Sequence, residues 1–110
     1  MSAAEMLAAI GDPMRREIFE RLAEGPIAVG ELARTLPISR SAVSQHLAVL
    51  KHAGLVFERQ QATRRLYQVD PKGFAELRAY LDVFWYRSLA SFRAVFPDAD
   101  ISGTDADDNA

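Results

Sequence analysis

Residues 39–69, with the turn that leads into them, constrain this chain more than any other stretch. Leu36-Pro37-Ile38-Ser39 ends one apolar-periodic segment and begins another. Pro37 cannot continue a helix, and Ser39 can accept hydrogen bonds from the free amides of the next one. The segment Arg40-Ser41-Ala42-Val43-Ser44-Gln45-His46-Leu47-Ala48-Val49-Leu50-Lys51-His52-Ala53-Gly54 follows. Val43, Leu47 and Leu50 fall at i, i+4 and i+7, so they share and bury one helical face, and Gly54 suits the left-handed residue that closes a helix. Leu55 to Arg59 and Arg64 to Val69 are rich in β-branched and aromatic residues and flank a polar turn, so they read as a hairpin. The turn, Gln60-Gln61-Ala62-Thr63, has no glycine, and a very tight reversal is not expected there.

The remaining segments frame this core. Met1 to Ile10 reads as a short amphipathic helix with Met6, Leu7 and Ile10 on one side. Asp12-Pro13 starts a second helix by a cap plus a first-turn proline, and Met14, Ile18 and Leu22 form its inward face. Gly25-Pro26 stops it. Ile27-Ala28 is a short extended link, and Val29 to Leu36 a third helix with Leu32 and Leu36 inward. Asp70-Pro71 repeats the cap-plus-proline start, and a long helix runs to about Phe96, before Pro97. The expected fold is mainly α with a small β-hairpin, a winged helix-turn-helix. Residues 1–96 are expected to form one DNA-binding and dimerisation domain, and 97–110 an acidic, disordered tail.

Net charge is −2, but the distribution matters more than the sum. Between Ala33 and Leu66 there are six cations (Arg34, Arg40, Lys51, Arg59, Arg64, Arg65) and one anion, Glu58, a local charge of +5. Asp98, Asp100, Asp105, Asp107 and Asp108 give the tail −5. At about 100° per residue, Ser41, Gln45 and Ala48 lie opposite the buried face of the fourth helix, with Ser44 and Val49 beside them. That face is small and hydrogen-bonding, and it has no carboxylate to repel phosphate. Gln can bond adenine through two hydrogen bonds, and Ser can serve several base edges. Read alone, the same residues fit a solvated helix face. The preceding short helix and the following basic hairpin favour double-stranded DNA as partner. Arg40 and Lys51 would meet phosphates, as would Arg59, Arg64 and Arg65 on the hairpin, unless those arginines serve only to protect strand edges.

The last helix is about 39 Å long at 1.5 Å per residue. Phe74, Leu77, Leu81, Trp85, Leu89, Phe92 and Phe96 form a stripe that Tyr80, Val83, Phe84 and Tyr86 widen beyond what one small domain can cover. Apolar surface on that scale marks an association face. A second copy is the expected occupant, with Leu81, Phe84, Trp85, Leu89, Phe92 and Phe96 at the interface. The alternatives are a small organic ligand held near Tyr80, Phe84 and Trp85, and a winged helix that binds protein instead of DNA.

Other chemistries lack their residues. There is no cysteine, hence no disulfide, thiolate metal site or thiol switch. His46 and His52 are six apart on one helix and cannot share a metal. Ser44 and His46 do not face each other, and there is no glycine-rich phosphate loop. No catalysis, metal or cofactor is expected. No apolar run reaches the roughly 20 residues that span a bilayer. No basic-then-apolar leader opens the chain, so neither membrane nor export is expected, and the cytoplasm is the simplest location.

Four segments together resemble the ArsR family of bacterial winged-helix repressors: Ile10-Gly11-Asp12-Pro13-Met14-Arg15-Arg16-Glu17-Ile18, Val29-Gly30-Glu31-Leu32-Ala33, Ser39 to Leu47, and Leu50-Lys51-His52-Ala53-Gly54-Leu55-Val56. The resemblance spans about residues 4 to 96. It implies a homodimeric repressor, dimerised through the first and last helices with Met6 and Ile10 among the contacts, on an imperfect inverted repeat, and set by an organic effector or by autorepression. Arg40, Ser41, Ser44, Gln45 and His46 match the recognition-helix positions, and Arg64 and Arg65 the basic wing. The chain departs from members that sense metals or thiols. Its third helix, Glu31-Leu32-Ala33-Arg34-Thr35, has no cysteine, and its last helix has Glu76 and Asp82 but no histidine. It resembles the branch without a recognisable inducer site.

Overall fold

Three of the four helix starts in the first half of the chain are fixed by a side-chain cap. A computed structural model of the chain describes residues 2–99. Helix α1 (Ala3–Gly11) is capped by Ser2, whose Oγ accepts from the Glu5 amide at 3.2 Å. Helix α2 (Pro13–Leu22) is capped by Asp12, which accepts from the Arg15 amide at 2.9 Å. Arg15 and Arg16 then reach back to the open end of α1. Arg15 Nε donates to the Ala9 carbonyl at 2.7 Å, and Arg16 Nη1 to that of Ile10 at 3.0 Å. Unpaired carbonyls at a helix C-terminus attract cations, so this contact fastens the two helices end to end.

Strand β1 (Ile27–Ala28) leads directly into α3 (Val29–Thr35), and Leu36 to Ser39 turn the chain into α4 (Arg40–His52). Ser39 Oγ accepts from the Ala42 amide at 3.1 Å. The far end of α4 closes through Gly54 at φ 83, with the Leu55 amide donating to the Leu50 carbonyl at 3.0 Å, the six-to-one bond of a left-handed helix cap. Strands β2 (Val56–Gln61) and β3 (Arg64–Val69) follow, then α5 (Pro71–Val95). The sheet has three antiparallel strands in the order β1-β3-β2.

The core is built from one face of each helix. Ile18, Leu22, Leu32, Leu36, Val43, Leu47, Leu50, Leu55 and Val56 are among its buried aliphatic residues, with Leu77 from the first turns of α5. Tyr67 and Val69 pack against it from one face of the hairpin. Phe19 meets Phe74 at a ring-centroid distance of 5.8 Å, tilted by 59°. Gly73 lies so close to Gly54 that a Cβ there would sit 1.7 Å from the Gly54 carbonyl oxygen. The described residues divide into two units, 2–79 and 80–99.

Four expectations need correction. The inward face of α1 is Met6 and Ala9, both buried, while Leu7 is exposed. Met6 is fully enclosed by its own chain, so it cannot contribute to a dimer interface as expected. Ile27-Ala28 is more than a link: it pairs with Tyr67 and Leu66 as a third strand. Finally, the hairpin reversal is tight. The ladder runs out to Gln61 opposite Arg64, which leaves only Ala62 and Thr63 in the turn. Ala62 takes φ 57, a left-handed conformation that costs a non-glycine residue about 1 kcal/mol. Six cross-strand pairs hold the turn against that local preference. The expected acidic tail falls largely on residues 100–110, outside the described residues.

Candidate nucleic-acid interface

Helix α4 presents its two faces as its periodicity requires. Val43, Leu47 and Leu50 are completely buried, which fixes the rotation of the helix. Arg40, Ser41, Ser44, Gln45, Ala48 and Val49 are exposed as a result. His46 is half-buried at the edge of that surface, and its charge is felt at Asp12. The Asp12 carboxyl is held below its ordinary range, chiefly by the hydrogen bond from the Arg15 amide and then by the charges of Arg15 and His46.

An open cleft of about 820 Å³ lies between α3, the start of α4 and the hairpin. Arg34, Arg40, Arg64 and Arg65 line it, with Ser44 and a single carboxylate, Glu31. Arg40, Ser44, Arg64 and Arg65, four of the residues expected to touch DNA, thus converge on one concavity. Arg34, on the last turn of α3, joins them. The local charge count in the sequence included Arg34, but its position on a short helix gave no sign that it would face the hairpin.

Lys51 and Arg59 are placed differently. Lys51, near the C-terminus of α4, donates to Glu58 at 2.7 Å. Arg59 Nε donates to Gln68 Oε1 at 2.8 Å, across the hairpin. Glu58 also pairs with Arg65 at 3.6 Å, and Glu31 pairs with Arg64. The hydrogen bonds from Lys51 and Tyr67, with the charges of Lys51 and Arg65, keep the Glu58 carboxyl below its usual value. Burial, with Glu58 beside it, pushes the Tyr67 phenol up.

Among the described residues, no three His, Asp or Glu side chains gather in a way that would hold a metal ion. No helix among them is long and apolar enough to cross a membrane.

Known proteins match this arrangement. A helix-turn-helix domain family matches residues 10–59, the span from the end of α1 to the middle of β2. The HTH-type transcriptional regulator Rv2034 of Mycobacterium tuberculosis is 62% identical over 84 residues, 76% of this chain and 78% of its own. An ArsR-like transcriptional regulator from Rhodococcus sp. RHA1 superimposes with a TM-score of 0.71 at 28% identity, over 84% of this chain and 91% of that one. The homodimeric winged helix-turn-helix DNA-binding domain of Mb0332 from Mycobacterium bovis, a possible ArsR-family regulator, gives a TM-score of 0.62 at 31% identity, over 74% and 75% of the two chains. The family match spans the capped turn into α4 and the buried stripe of that helix. The chain therefore belongs to the ArsR family of winged helix-turn-helix transcriptional regulators.

Proposed function

We propose that the protein is a cytoplasmic, homodimeric repressor that reads an inverted-repeat operator in double-stranded DNA. The observation that carries this reading is the outer face of α4: exposed, free of carboxylates and flanked by the arginines of the cleft. In this assignment Gln45, Ser41 and Ser44 meet base edges in the major groove. Arg34, Arg40, Lys51, Arg59, Arg64 and Arg65 meet phosphates and set orientation. His46, half-buried, positions the edge of the reading face.

A single α4 covers too few base pairs for a specific site, and a two-fold pair supplies a second at about 34 Å, one helical turn away. We assign the pairing contact to Leu81, Phe84, Trp85, Leu89, Phe92 and Phe96. Half-buried Ile10 is a candidate for the same role. A hollow of about 280 Å³ lies along α5 between Trp85, Ser88, Leu89 and Phe92. All four come from two turns of one helix, so the hollow is a surface trough suited to a partner's side chain. This favours pairing over an enclosed ligand site at the same aromatics.

Selection from a pool of random-sequence duplexes, at near-physiological salt, tests the reading. Enrichment of an inverted repeat with half-sites one turn apart supports it. An unenriched pool would sink it, and would favour a protein partner for the winged helix.

A further inference from the structure

Both carboxylates at this interface are engaged with cations that the proposed function gives to phosphates. Glu58, on β2, holds Lys51 of α4 at 2.7 Å and Arg65 of β3 at 3.6 Å, and Tyr67 also donates to it. Glu58 and Tyr67 are directly opposite in the ladder, and Gln60 and Arg65 are opposite two pairs further out, on the same face. Glu31, on α3, pairs with Arg64. Arg64 and Arg65, neighbours on β3 that both line the cleft, are thus each held by a carboxylate of its own.

We propose that Glu58 and Glu31 are internal competitors of DNA: they occupy Lys51, Arg65 and Arg64 in the free protein, and a phosphate must displace a carboxylate to engage each. The proposal rests on the DNA-reading assignment and adds what limits affinity within it. Two cations and a hydroxyl around one carboxylate form the donor set a phosphate oxygen would use. The pairs are exposed enough to exchange. Arg65 and Arg64 are 63% and 58% exposed, and Lys51 49%. Such pairs are weak and salt-screened, so they lower affinity without blocking the site. Salt also opens them in the free protein, which partly offsets the salt-induced loss of phosphate contacts. Removing a competitor therefore tightens binding at low salt and steepens its salt dependence.

The test uses the full chain and a fluorescent duplex of random sequence, about three helical turns long, titrated across a salt series. Glu58→Gln is expected to bind roughly threefold to tenfold tighter at low salt. Glu31→Gln should bind roughly twofold to fivefold tighter. Both gains should shrink as salt rises. A general loss of negative charge would raise affinity too, so the gain is also measured in a Lys51→Gln background. There the effect of Glu58→Gln should diminish, because one of the cations it releases is gone. Unchanged affinity and salt slope in both single variants would overturn the proposal, as would an undiminished gain without Lys51. If Glu58→Gln does not fold, Glu31→Gln, on a different element, carries the test. Failure of the wild-type protein to bind any duplex at low salt would instead remove the DNA-reading assignment itself.

Discussion

Helix α4 and the distal stretch of α5 are both apolar along one side, yet the chain treats them differently. Val43, Leu47 and Leu50 of α4 are fully enclosed by neighbouring elements. From Tyr80 onward, Tyr80, Leu81, Val83, Phe84, Tyr86, Phe92, Val95 and Phe96 are between 42% and 68% exposed. In α4 the apolar stripe is narrow and matches the surface the chain offers it. Its burial leaves one rotation for the helix, and the polar face is aimed outward as a consequence. In α5 the apolar residues spread around the helix, and the surface they leave exposed is the one proposed above for pairing. Periodicity tells which residues share a face, but not whether the covering surface comes from the same chain.

This contrast can be broken at several points. Leu47→Ala should produce the largest loss of stability, about 3 kcal/mol, because a fully buried side chain leaves a cavity behind it. Denaturant unfolding measures it, and a cost below about 1 kcal/mol would mean that the α4 stripe is less enclosed than described. Gly73→Ala should cost about 1–3 kcal/mol by overpacking. Its Cβ would meet the backbone carbonyl of Gly54, which cannot swing aside as a flexible side chain would. A melting temperature unchanged in that variant would contradict the close approach of α5 to the end of α4.

Phe84→Lys should behave in the opposite way. At 63% exposure its effect on the fold of a single chain should stay within about 0.5 kcal/mol. Its mass by sedimentation should fall from two chains to one if α5 is the pairing helix. The smallest expected effect is on pH. The folded Glu58 carboxyl titrates below its ordinary value of 4.5, chiefly because of Lys51. Its contribution to stability is therefore complete above that ordinary value and is lost as pH falls through the lowered one. The difference in melting temperature between Glu58→Gln and the wild-type protein should shrink on acidification. A difference that grows instead would reverse the sign of the Glu58 interaction.

The legible parts of the fold were those with local chemical signals. Ser39, Asp12, Pro13 and Gly54 fix helix ends through their own backbones and side chains, so α2 and α4 could be read closely. Strand β1 was missed because two residues carry no alternation, and its partners Tyr67 and Leu66 lie far along the sequence. The tight turn at Ala62 was missed because a long ladder overrode a local preference. In α1, a helix of nine residues, the wheel could not separate Met6 and Ala9 from Met6, Leu7 and Ile10. At the interface, the reading face followed from periodicity alone. Arg34, Glu31 and the bridging role of Glu58 did not, because each depends on which elements the tertiary fold brings together.

The most direct test of the central claim is a hydroxyl-radical footprint on the duplex recovered by selection. Two patches protected on one side of the helix, about 34 Å apart and lost together in Phe84→Lys, are the expected result. A single patch that survives Phe84→Lys would contradict the account, because one copy would then read the site without its partner.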